Sequence, residues 1–99
     1  MNKREPISDP KSELVVLMAN GWELNETATA ISKTYKFKSF KTAMAWMTRI
    51  AFEAEALNHH PEWSNAYATV EVKLTTHSEN ALTDLDRKLA ERMDRFASS

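Results

Sequence analysis

The sequence predicts an α+β domain, an antiparallel sheet with helices packed on one face. Three observations lead there. Apolar residues recur in steps of three and four from Phe40 to Leu57, as a long amphipathic helix requires. Between Ala66 and Thr75 they alternate, as a half-buried antiparallel strand requires. Shorter segments around these two complete an order α-β-β-α-β-α, without internal repeats, low-complexity tracts or linkers. At 99 residues the chain has length for one modest core, so residues 1–99 read as a single domain with 1–8 as a flexible N-terminus.

The first helix opens at Asp9-Pro10, a capping residue followed by a proline whose missing N–H costs nothing at the first helical position. Leu14, Val15, Leu17 and Met18 give it a short apolar stripe. Asn20-Gly21 ends it, and this lone glycine suits the left-handed position after a helix. Trp22–Leu24 and Thr27–Phe37 read as two strands around a turn near Asn25-Glu26. Ile31, Tyr35 and Phe37 share one parity, which Lys33 interrupts.

Ser39 caps the main helix, Phe40 to Leu57. Its core face is Phe40, Ala43, Met44, Met47, Ile50, Ala51, Ala54 and Leu57. Trp46 and Phe52 fall off that stripe. Either a partner covers them, or the strands wrap the helix flanks and do so. After a histidine-rich loop, Ala66, Ala68, Val70, Val72 and Leu74 alternate with Tyr67, Thr69, Glu71, Lys73 and Thr75. Thr83 then caps a last helix with the inner stripe Leu85, Leu89, Met93 and Phe96.

Composition narrows function. There is no cysteine, hence no disulfide, thiolate metal site or cysteine nucleophile. The net charge is −1 with both signs interspersed, unlike a direct nucleic-acid footprint. No stretch approaches the ~18 apolar residues of a membrane span, and Met1–Lys11 is too polar for a signal peptide. A cytoplasmic location fits, with a small uncharged molecule or a protein as the ligand.

The three histidines, His59, His60 and His77, occupy two neighbouring segments. Imidazole changes charge near neutral pH, so clustering it is a way to move protons. His60 precedes Pro61, which forces extended backbone and ends the main helix before the pair. Both histidines then lie on a loop at the helix C-terminus and point opposite ways. A three-histidine zinc site with Glu55 behind it is the chemical rival, although adjacent histidines chelate one ion poorly.

The frame Glu55…Asn58-His59-His60-Pro61-x-Trp63, with Tyr67, Val70-x-Val72-x-Leu74, Thr75-Thr76-His77 and Leu82-Thr83-x-x-Asp86, closely resembles the pterin-4a-carbinolamine dehydratases. The likeness extends back to Gly21-Trp22, Tyr35–Phe40 and Met47-Thr48-Arg49. It implies the same α+β fold, with the Trp63–His77 stretch divided into more than one strand. It also implies a hydro-lyase that converts 4a-hydroxytetrahydropterin to quinonoid dihydropterin and water, in tetrahydrobiopterin recycling, with neither cofactor nor metal. His59 and His77 then correspond to an acid/base pair and His60 to an orienting residue. Trp63 matches an aromatic beside the pterin, and Glu55, Asn58, Pro61, Thr75, Thr76 and Asp86 match substrate-binding positions. Asp86 equally suits a capping box with Thr83. Asn58 stands where the family commonly has an acid, and Ala81 where it often has glycine, a strain if that position needs a positive φ. The resemblance further implies homodimers or homotetramers. Its alternative role is a protein-binding coactivator or assembly module, using the helix surface around Trp46 and Phe52.

Overall fold

The computed structural model describes residues 4–98, so Met1–Lys3 of the expected flexible N-terminus lie outside the described residues. The elements are α1 (Pro10–Glu13), α2 (Val15–Ala19), β1 (Glu23–Leu24), β2 (Ile31–Lys36), α3 (Phe40–Leu57), β3 (Glu62–Ala66), β4 (Thr69–Leu74), a 3₁₀ turn (His77–Glu79) and α4 (Asp84–Ala97). The strands form one antiparallel sheet in the order β1-β2-β4-β3. This is the expected α+β architecture.

The first expected helix is two short ones, hinged at Leu14. Only Leu14 and Leu17 of its stripe are buried, while Val15 and Met18 face solvent. At the end of α2, Trp22 N–H reaches the Leu17 carbonyl and Gly21 N–H the Met18 carbonyl, a Schellman motif with Gly21 at φ +105°. Trp22 is thereby turned into the core. Lys33 does not break the pattern of β2 after all. It points inward with Ile31 and Tyr35, and its amine meets Asp94 of α4 at 2.7 Å. Trp22 Nε1 and the Tyr35 hydroxyl donate to the same carboxylate.

Ser39 Oγ accepts from Thr42 N–H, so α3 begins where the cap predicts. Its buried face is Ala43, Trp46, Ile50, Ala54 and Leu57. That face is rotated from the expected stripe. Trp46 packs beside Tyr35 and Phe37 and donates its indole N–H to the Met93 carbonyl of α4, whereas Phe40 and Ala51 are exposed and Met44 and Met47 half-buried. The apolar arc of α3 is wider than one contact needs, and α4 covers the Trp46 edge of it. Phe52 stays 70% exposed.

The alternation from Ala66 suggests one strand, but the Trp63–His77 stretch is divided, as the resemblance implies. A turn at Tyr67-Ala68 divides it, with Tyr67 at φ +53° and the Asn65 amide donating to the Tyr67 and Thr69 carbonyls. Val70, Val72 and Leu74 are buried as expected. Residues 4–8 are not free either, because Ile7 N–H bonds the Leu82 carbonyl at 2.8 Å and Pro6 pairs with Thr83. Thr83 caps α4 in a complete capping box with Asp86, and Leu85, Leu89 and Met93 are sealed beneath it. Among the described residues, no helix is long and apolar enough to cross a membrane.

Candidate active site

The β3–β4 hairpin creates the site. Glu62 pairs with Lys73 at the open end of the hairpin. The loop entering β3 and the segment leaving β4 must therefore run side by side, which brings His59-His60 next to Thr75–His77. The helix end sets the directions. Asn58 adopts the left-handed conformation (φ +52°), and His59 N–H returns to the Ala54 carbonyl. Asparagine tolerates that conformation better than any carboxylate-free branched residue would. The reversal drives His59 inward and leaves His60 outside.

Each imidazole has its own carboxylate. His59 Nε2 lies 2.6 Å from Asp86 Oδ1, with side-chain exposures of 6% and 0%. His60 Nε2 lies 2.6 Å from Glu55 Oε2, and both side chains are mostly exposed. His77, at the start of the 3₁₀ turn, has Glu62 Oε1 at a looser 3.5 Å. Because the rings turn to three different partners, they do not converge on a point. Among the described residues no group of three or more His, Cys, Asp or Glu is placed to hold a metal ion.

A cleft of about 610 Å³ is lined by Arg4, Asn58, His59, His60, Thr75, His77, Ser78 and Glu79. That volume lies within the range of small-molecule sites. All three histidines reach it, together with Asn58 and Thr75. Thr75 donates its hydroxyl to the Thr29 carbonyl, which fixes that wall. Glu55 approaches only through His60.

Four candidates stand elsewhere. Thr76 and Asp86 are buried behind His59 and bonded to each other at 2.7 Å. Pro61 is half-buried and outside the cleft lining. Trp63 does not lie against this cleft; its ring sits 6.2 Å from that of Trp46 on the helix side of the sheet. Strand parity is the reason, since Glu62 and Ser64 take the open face and Trp63 the opposite one. Ala81 carries no strain, because the positive φ of that loop falls on Asn80 (+48°).

Sequence reading missed Arg4, Ser78 and Glu79. Arg4 Nη2 donates to the Asn58 carbonyl at 2.9 Å and forms one wall of the cleft. Nothing local in the sequence marks it, since it arrives from 54 residues away through the Pro6–Thr83 pairing.

Comparison with known proteins adds an independent line. The family described as pterin 4 alpha carbinolamine dehydratase matches residues 5–96. A relative from Roseobacter denitrificans, provisionally named a pterin-4-alpha-carbinolamine dehydratase, is 50% identical over 95% of this chain and 90% of its own. A relative from Dinoroseobacter shibae with the same provisional name is 54% identical over 85% of this chain and 87% of its own. The crystal structure of a transcriptional coactivator/pterin dehydratase from Brucella melitensis is 42% identical, with a TM-score of 0.83 over 94% of this chain and 99% of that one. A pterin dehydratase-like protein identified as a RuBisCO assembly factor in the alpha-carboxysome has a TM-score of 0.69 over 80% of this chain and 92% of that one. At 22% identity it shares the fold alone.

Proposed function

Because the chain belongs to the pterin 4 alpha carbinolamine dehydratase family, we propose that it dehydrates a 4a-hydroxytetrahydropterin in the histidine-lined cleft. The reaction breaks the C4a–O bond, removes the N5 proton and forms the N5=C4a double bond of the quinonoid dihydropterin. The hydroxyl takes a proton and leaves as water. Two proton transfers suffice, and both suit positioned imidazoles. The observation that carries this reading is the arrangement of three imidazoles, each beside its own carboxylate, on one cleft of small-molecule size.

His59 and His77 are the acid/base pair in this scheme. His60 orients the ring, with Glu55 steadying its imidazole. Arg4, Asn58 and Thr75 offer donors and acceptors to the polar edge of the heterocycle. The product feeds tetrahydrobiopterin recycling. Calorimetry with a stable dihydropterin should show saturable binding, weakened in His60→Ala; no binding to the wild-type protein would overturn the reading.

One observation favours a protein contact as well. Phe40 at the start of α3 and Phe52 on its outer side are 48% and 70% exposed. A second copy of the chain would cover them in a closed homodimer or homotetramer. Sedimentation should find a species heavier than the 11.3 kDa chain at micromolar concentration, and Phe52→Glu should shift it toward monomer; a wild-type monomer at that concentration would remove this contact.

A further inference from the structure

Asp86 has no exposed surface, and chemistry fixes the direction of every hydrogen bond around it. The Thr83 N–H can only donate, and it donates to Oδ2 at 2.9 Å. The Thr76 hydroxyl donates to the same oxygen at 2.7 Å. Thr76 in turn accepts from the Thr83 hydroxyl at 2.8 Å, whose oxygen accepts the Leu85 N–H at 3.3 Å. Oδ2 is thus held between two donors, and Oδ1 is left for His59 Nε2 at 2.6 Å. A carboxylate has no hydrogen to give, so Nε2 must carry it. The other ring nitrogen, Nδ1, has no protein hydrogen bond among the described residues and is not sealed from solvent. His59 lines the cleft, so Nδ1 is the ring nitrogen available to it.

We propose that Asp86 is a positioning residue that holds His59 in the Nε2–H tautomer, which makes Nδ1 the atom that exchanges a proton with a ligand in the cleft. The identity of that ligand rests on the pterin reading above; the tautomer does not. With a 4a-hydroxytetrahydropterin bound, the N5 proton passes to the Nδ1 lone pair. The imidazolium so formed is offset by the Asp86 carboxylate, and Nδ1 then releases its proton to water. This is the division of labour of a Ser-His-Asp triad, in which the carboxylate sets the ring and never takes the proton. Asp86 therefore does two jobs with two oxygens. Oδ2 closes the capping box of α4 and Oδ1 sets the histidine.

That separation makes the proposal testable, because Asp86→Asn alters one job and spares the other. The Thr83 and Thr76 donors select the amide oxygen for the Oδ2 side. The NH₂ group must then face Nε2, which becomes an acceptor, and the hydrogen moves to Nδ1. ¹⁵N spectra of the neutral ring read this directly, as a protonated nitrogen is pyrrole-like and a bare one pyridine-like. In the wild-type protein Nε2 should be pyrrole-like and Nδ1 pyridine-like, and in Asp86→Asn the two should exchange while the circular dichroism is unchanged. Turnover of Asp86→Asn should fall in kcat by about 10²-fold or more with KM little altered, the size of a lost general-base contribution. A wild-type ring with its hydrogen on Nδ1 overturns the proposal, and that spectrum needs no variant to fold. An Asp86→Asn protein with exchanged tautomer and undiminished kcat also overturns it. Wild-type protein that shows the expected tautomer but dehydrates no 4a-hydroxytetrahydropterin supports the positioning of His59 and overturns the pterin reading instead.

Discussion

Two histidine–carboxylate pairs in this protein have the same 2.6 Å separation and opposite surroundings. His59 and Asp86 have side-chain exposures of 6% and 0%, and His60 and Glu55 of 58% and 76%. The buried carboxylate is held by Thr83 N–H and the Thr76 hydroxyl besides its histidine. The exposed one faces solvent and has one side-chain hydrogen-bond partner in His60. Distance alone therefore says little about what a pair does. A screened, exposed pair contributes about 0–1 kcal/mol and can be remade by solvent at little cost. A buried pair is expensive to break, because the surviving partner is left without water. On the proposed reading the difference divides the cleft into a fixed side, which presents one defined nitrogen, and an adaptable side of exposed imidazoles, His60 and His77.

The largest effect expected from this contrast is on stability. Asp86→Ala removes the partner of three donors at once and should cost about 3–5 kcal/mol in urea unfolding. Glu55→Gln, at the same distance from its histidine, should cost less than about 1 kcal/mol. Equal losses would break the comparison.

A smaller effect sharpens it with a third carboxylate. Asp94, with a side-chain exposure of 16%, accepts from Lys33, Tyr35 and Trp22. Burial, reinforced by the hydrogen bond to Asp94 and its charge, pushes the Tyr35 phenol far above its ordinary value of 10.0. The folded protein then keeps a proton that the unfolded chain gives up once pH exceeds about 10. Stability from this group is complete below that pH and declines as pH rises, by at most about 1.4 kcal/mol per unit. Tyr35→Phe should flatten the alkaline limb of the stability curve; an unchanged limb would show that the folded protein does not hold the Tyr35 phenol protonated above the ordinary range.

Local chemistry makes much of this legible in the sequence. The bounds of α3 followed from Ser39 and from the extended backbone required before Pro61. The capping box of α4 was readable in Thr83-x-x-Asp86, and the burial of Val70, Val72 and Leu74 in simple alternation. What resisted reading depends on packing between distant elements. The wide apolar arc of α3 leaves open which edge is buried, and only α4 decides that Trp46 goes in while Phe52 stays out. The turn at Tyr67-Ala68 contains no residue that favours turns, so alternation passes through it unbroken, and only the family resemblance implied a division there. In the site, grouping the histidines was legible, since all three fall in two neighbouring segments. Two things were not. Trp63 follows the loop closely in sequence, yet strand parity sends it to the far face. The second role of Asp86 was hidden because its capping function already explained the residue, and His59 lies 27 positions away.

The central claim is that the cleft between the fixed His59 and the adaptable His60 and His77 dehydrates a pterin carbinolamine. Its most direct test is the initial rate of 4a-hydroxytetrahydropterin dehydration by purified protein, with a metal chelator and no added cofactor. The wild type should accelerate the reaction over buffer, and His59→Gln and His77→Ala should each lose about 10²–10⁴-fold while remaining folded. A wild-type rate no faster than buffer, or full activity in both variants, would contradict the account.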